Sequence, residues 1–411
     1  MSNNSKLIPH FIKASIAVNR FGYGAKKDEL KQAMENPKQW VKSQLTLVSF
    51  DQSLPHSNDI INKHFNYQTI IKQMKLEEKV TANNEMDNIE SQSKMAMLKK
   101  FGRTALREMS ADNLKQAITS PNSVSWRLLD FFSNHFSVTA NGRLMAGLAA
   151  TIEREAIAPH MFDNFESLLI AVEQHPAMLI YLNNEKSFGP NSRIAKKRKL
   201  GLNENLAREI LELHTLGVNN GYDQNDVIEL AKGLTGWSVQ KNNKKGKAGF
   251  NFRANGHEPG KRYLLGKTYT QEGIKQGEQM LKDLAMHPTT AKFVCYKLAH
   301  HFVSNNPSPK LINKMVSQWL QTRGNIKKVM ESLFDSEEAW QVQSNKLRTP
   351  REFIIATHRA LDVVQINEKF LYSSLRNLGQ QPFNSGSPAG YSDDYQDWLG
   401  GSALMARLDW S

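Results

Sequence analysis

Apolar residues recur at three- and four-residue intervals along most of this 411-residue chain, a period that fits helix and little else. The segment PNSVSWRLLDFFSNHFSV shows it well. Ser123 can cap a helix that carries Trp126, Leu129 and Phe132, with Leu128 and Phe136 on its flank. The same spacing predicts further helices over 142–158, 165–175, 203–216, 271–286, 289–303, 307–322, 326–336, 350–364 and 368–378. Pro37, Pro176 and Pro288 stand where helices open, and Gly22 and Gly217 where they stop. One interval breaks the period. Phe250 and Phe252 alternate, and NGHEPG has turn chemistry, which predicts a small β-hairpin insert near 239–266.

The predicted fold is therefore all-α, a multi-helical single globular domain over residues 1–411. No fixed-period repeat and no Gly/Ser or Pro linker divides it. Residues 66–120 are expected to form either a protruding helical arm, exposed over much of its length, or a helix pair with a break near Asn83 and Asn84, because LEEKVTANNEMDNIESQSK carries few large apolar side chains.

Composition removes several classes. Hydrophobic residues make up 40% of the chain, enough for a large core. The single Cys295 excludes an intramolecular disulfide framework, and its run AKFVCYKLA predicts a buried, inert thiol. A net charge of +13 favours anionic partners, such as a membrane surface or a phosphorylated or acidic substrate, so an anionic ligand or a protein partner is expected. Nucleic acid is not the expected partner, since no arginine-rich tail or aromatic-basic motif occurs. No run of about 18 apolar residues is present to form a transmembrane segment. Lys13, Asn19 and Arg20 interrupt any secretory apolar core, so the chain as written reads as cytoplasmic. H-E-x-x-H, G-x-S-x-G, Walker and G-x-G-x-x-G patterns are absent.

Polar chemistry concentrates in LNENLAREILELHTLGVNNGYDQNDVIELAKGLTGW, residues 202–237. With Asn203 as N-cap, about 100° per residue stacks Glu204, Arg208 and Glu212 on one side, with Asn205 and Glu209 beside them. Leu206, Ile210 and Leu213 fill the opposite side, with Ala207, Leu211 and His214 at its border. Glu209 and Glu212 stand on adjacent turns, the spacing of a divalent metal site or an acid/base pair. Their catalytic set is completed by Arg208, to neutralise substrate charge, and by His257, beside Glu258 in NGHEPG. Glu204, Asn205, Trp237 and Lys261 are the expected binding residues. Basic residues flank the stretch, Arg193 to Lys199 before it and the KNNKKGK loop after it. Two readings stand. One is a metal-assisted or acid/base hydrolase. The other is a binding or assembly protein, whose polar helix is a structural network and whose basic loops and arm meet a partner.

These residues, with AVNRFGYGA, FFSNHFSV, EREAIAPHMFDNFESLLIAVEQHPAMLIYLNN, TAKFVCYKLAHHFV and LGQQPFNSGSPAGYSDD, resemble the bacterial domain-of-unknown-function family 1800 over nearly the whole chain. The resemblance implies an all-helical fold and no assigned catalytic residues, and related proteins often carry export signals. Its pattern covers Asn203, Glu204, Asn205, Arg208, Glu209, Glu212, Asp226, Gly236, Trp237 and His257. Two departures stand out. Glu258 replaces the family's usual Asp, keeping the carboxylate. Ala158 replaces an Arg two residues before His160, which removes an anion-binding cation there.

Overall fold

A computed structural model describes residues 4–77, 86–240, 248–342, 346–363 and 365–411. Its hub is the helix Ser123–His135, in which Trp126, Leu128, Leu129, Phe131 and Phe132 are all buried. Most residues of this helix are buried, which places it in the core. Phe132 and Phe136 stack near Phe165 of the helix Phe165–Glu173, and Trp126 meets Phe50 edge-on at 5.3 Å. Phe21 packs edge-on against Phe334 and Trp340. Buried apolar residues from Ala14 to Leu378 form one contiguous cluster.

Local chemistry sets the helix boundaries. The helices Pro176–Tyr181 and Pro288–Phe302 both open on His-Pro, and the His175 and His287 Nδ1 atoms accept from Ala177 and Thr289 N at 3.2 Å. These histidines thus act as caps, filling the role usually taken by Ser or Asp. Thr349 and Glu352 form a reciprocal capping box at the start of Pro350–Ala360.

The predicted strand insert is present as two hairpins. Strands β1 (Trp237–Gln240) and β2 (Gly249–Phe252) pair antiparallel, as do β3 (Arg262–Leu264) and β4 (Lys267–Tyr269). NGHEPG is the connection between them, with a short 3-10 turn at Ala254–Gly256, and is not itself a hairpin turn. The second hairpin closes through Leu265 and Gly266, whose φ of 49° and 73° suit the left-handed two-residue turn that matches strand twist. Three-residue strands are too short for alternation to show in a sequence.

Gly236 joins the helix Gln224–Gly233 to β1 at φ 84°, and a Cβ there would stand 2.8 Å from the Arg253 carbonyl oxygen. Gly236→Ala should lower the unfolding free energy by about 1–3 kcal/mol in urea titrations. An unchanged midpoint would mean that the Arg253 backbone yields freely.

The interval expected as an arm contains the helices Ser57–Glu77 and Met86–Thr119, and the expected break lies outside the described residues. The second helix enters the core over its later turns, through Ala105, Leu106, Met109, Leu114, Ala117 and Ile118. Cys295 is fully buried, and burial pushes its thiol well above the ordinary value. It should therefore react with a thiol reagent only at the rate of unfolding; fast labelling of native protein would contradict this placement. No described helix is long and apolar enough to cross a membrane.

Candidate functional site

The stretch richest in polar residues forms the helix Asn205–Glu209, which runs on into a π turn over Ile210–His214. Glu204 occupies the cap position, and Asn203 Oδ1 accepts from Asn205 N at 2.9 Å from one residue further out. The wider turn alters the expected faces. Leu213 is only half-buried, while His214 lies in the core.

Arg208 bridges Glu204 at 3.1 Å and Glu212 at 3.5 Å, and Gln224 ties Arg208 to Glu204 again. The row is partly exposed and saturates its own charges, each pair worth about 0.3–0.5 kcal/mol. Arg208→Ala is accordingly expected to cost under about 1 kcal/mol of stability by urea titration; a larger loss would show that the row does more than pair at the surface. Glu209 is half-buried, and burial, with Glu212 adding, raises its carboxyl against the pull of His214 and Arg208.

Asn205 and Lys261 are exposed. Trp237 has no exposed surface and meets Phe250 edge-on at 5.9 Å, so it is a core ring with no open face for a ligand. The His257 Nδ1 lies 2.9 Å from the Thr235 carbonyl oxygen, and burial lowers its pKa. Among the described residues no hydrogen bond or ion pair joins His257 to Glu209 or Glu212. Glu258 clamps Asn191 through its backbone N at 2.8 Å and its amide at 2.7 Å. No group of three or more His, Cys, Asp or Glu that could hold a metal ion occurs among the described residues. Lys196, Lys197, Arg198 and Lys199 are exposed, and the loop 241–247 lies outside the described residues.

Inside the core, a polar chain replaces what one would expect from isolated histidines. Lys297 Nζ donates to His135 Nδ1 at 3.0 Å, and His135 Nε2 donates to the His214 carbonyl oxygen at 3.1 Å. His214 Nδ1 in turn lies 2.8 Å from the buried Glu173 carboxylate. Burial, with Lys297 and His214, holds His135 well below its ordinary pKa and therefore neutral. Burial also brings Lys297 down to about 8, against the opposing field of Asp393.

A polar cavity of about 100 Å³ lies beside this chain. Asp130, Ser133 and Asn134 from the hub helix line one wall. Tyr23 and Arg351 both hydrogen-bond Asp130 Oδ2, the arginine at 2.6 Å, and Arg351 also donates to Asn113. Asn113 Nδ2 donates to Glu153 at 2.6 Å, and the Ser133 hydroxyl donates to the other Glu153 oxygen. Burial raises the Glu153 carboxyl above the ordinary range, despite Ser133, Arg351 and Asn113. On another wall His301 Nδ1 lies 2.8 Å from Asp393 Oδ1. Burial would push Asp393 up, but His301, Lys346 and Lys297 outweigh it and hold the carboxylate ionised. The His301 Nε2 and the Ser110 Oγ are buried and find no hydrogen-bond partner among the described residues.

The cavity is covered by residues 380–393. Asn134 grips Tyr391 from both sides of its side-chain amide at 2.7 Å, and Ala140 N donates to the Phe383 carbonyl oxygen at 2.8 Å. Gly390, at φ 83°, lets the loop pass where a Cβ would stand 2.5 Å from the Asn134 carbonyl oxygen.

Sequence reading alone did not single out this cavity, although one signal for it was present. Within the apolar run SWRLLDFFSNHFS, the polar residues Asp130, Ser133, Asn134 and Ser137 fall at i, i+3, i+4 and i+7, a polar stripe on a core helix. The family of similar sequences described as Protein of unknown function (DUF1800) has a model that matches residues 16–411. No curated protein and no solved structure matches the chain.

Proposed function

We propose, from the premise that this chain belongs to the DUF1800 family of proteins of unknown function, that it is an acid–base enzyme acting on a small polar molecule in the Glu153–His301 cavity. The observation that carries this reading is the His301–Asp393 pair. The carboxylate fixes Nδ1, His301 lines the cavity, and its Nε2 is buried without a hydrogen-bond partner among the described residues. A histidine oriented in this way serves as a general base. Glu153, whose raised pKa favours the protonated acid, is the complementary donor. In a hydrolytic cycle His301 Nε2 takes a proton from water as the water oxygen bonds to the ligand. Glu153 gives a proton to the leaving atom as its bond to the ligand breaks, and the proton on His301 returns to Glu153 through solvent. Arg351 holds Asp130 and Asn113 in place and keeps the wall rigid. The self-paired Glu204–Arg208–Glu212 row and the Thr235-bound His257 take no step in this reading.

The test is turnover. Purified protein is assayed on chromogenic esters, glycosides and phosphates, together with His301→Ala and Glu153→Gln. Loss of about 100-fold or more in both variants, with an unchanged circular dichroism spectrum, is expected. Turnover retained in both variants would refute the assignment. Saturation-transfer NMR with small polyols and hydroxy acids separates the binding-protein alternative, in which wild type binds in the cavity and converts nothing.

A further inference from the structure

A second cleft, of about 740 Å³, opens on the other side of Tyr23 and Glu352. Its lining includes five cationic side chains, Arg20, Arg127, Lys346, Arg348 and Arg407, against the single carboxylate of Glu352. Glu352 is already engaged by Arg127 at 2.9 Å. Arg20 and Lys346 donate to backbone carbonyls, and Arg348 donates to Asn19. Arg407 is 9% exposed, lies over the Phe353 ring at 5.6 Å, and its Nε and Nη2 have no hydrogen-bond partner among the described residues. A buried guanidinium with unused donors is costly unless an anion meets it. The cleft mouth is apolar, with Phe11, Ile12 and Val342 all exposed there.

We propose that this cleft binds a small free amphiphile, with its anionic head on Arg407 and Arg348 and its apolar body between Phe11, Ile12 and Val342. Charge complementarity selects the head, since four of the five cations have no carboxylate partner among the described residues. Planar guanidinium forks suit a phosphate, sulfate or carboxylate, and the cleft volume suits a small molecule. Burial lowers the pKa of Arg20, Lys346, Arg348 and Arg407 alike. Arg407 and Arg348 both line the cleft, and its volume of about 740 Å³ suits a free small molecule. The inference is independent of the Glu153–His301 cavity, because neither Arg407 nor Arg348 lines that cavity.

Calorimetric titration of the full chain with octyl phosphate, below its micelle concentration, tests this. One equivalent should bind, and Arg407→Gln and Arg348→Gln should each weaken it about tenfold or more, the loss expected for one charged hydrogen-bonding group. Octanol and inorganic phosphate should each bind at least about tenfold more weakly than octyl phosphate, since each lacks one half of the recognition. Equal binding by both variants, or by octanol, would overturn the anionic site. Inorganic phosphate binding as tightly as octyl phosphate would overturn the apolar half. Capture by phosphatidylglycerol vesicles without binding of free octyl phosphate would overturn the choice of a free ligand. Thermal melts of both variants check that each is folded.

Discussion

Arg359→Met is expected to destabilise the protein by about 3–5 kcal/mol, because it strips the partner from a buried carboxylate. Arg359 has no exposed surface and holds Glu29 through both oxygens, at 2.9 and 2.7 Å. Its remaining donors go to the carbonyl oxygens of Gly24, Ala117, Ile118 and Ser120. One side chain thus caps the end of the helix Met86–Thr119 and ties it to the N-terminal segment. Urea unfolding reads the loss. The double variant Arg359→Met with Glu29→Leu should recover much of it, since removing both charges leaves no unpaired carboxylate. If the double variant is no better than the single one, the carbonyl contacts carry the stability and the ion pair does not.

Acid should reveal a second large term, at Glu155. Burial would raise this carboxyl, but His175, at 3.2 Å, and the hydroxyl and amide of Ser57 outweigh burial and bring it from 4.5 down to about 2. A carboxylate whose native pKa lies below its unfolded one stabilises the fold fully above the unfolded value. That stabilisation fades as pH falls from 4.5 through about 2 and amounts to about 3 kcal/mol. Glu155→Gln removes the titration, so its stability should fall less steeply than wild type between those limits. Parallel curves for the two proteins in urea titrations across that range would contradict this role for Glu155.

Helix was legible because its period repeats over many residues, and a Pro opening or a side-chain cap marks many boundaries. The helix expected over 326–336 is observed as Ile326–Asp335, and the one expected over 289–303 as Pro288–Phe302. The π turn at Ile210–His214 was not legible, since widening a single turn leaves no mark in composition. It explains why the wheel placed His214 at a border when it belongs to the core.

The polar cavity was hidden for a different reason. Its charged residues are scattered along the chain, and each looks ordinary beside its neighbours. Asp393 sits in a Gly/Pro/Ser-rich loop, Glu153 in an amphipathic helix, and Arg351 follows a proline. Density of polar residues along the sequence pointed instead to Glu204, Arg208 and Glu212, which pair with one another near the surface. Local crowding of charge favours such pairing, whereas a cavity needs groups delivered from distant segments.

That scattered origin has a thermodynamic consequence. The cavity draws on residues from Tyr23 to Asp393, so it exists only once nearly the whole chain has folded. A molecule that fits it binds the native state alone and shifts the global unfolding equilibrium by mass action. At a hundredfold excess over its dissociation constant the gain is about 2.7 kcal/mol. The melting temperature of the intact chain therefore rises when the cavity is occupied, whatever reaction takes place there. A thermal screen of small polar compounds, with His301→Ala as the control that separates the cavity from other sites, can identify a ligand before any turnover is known.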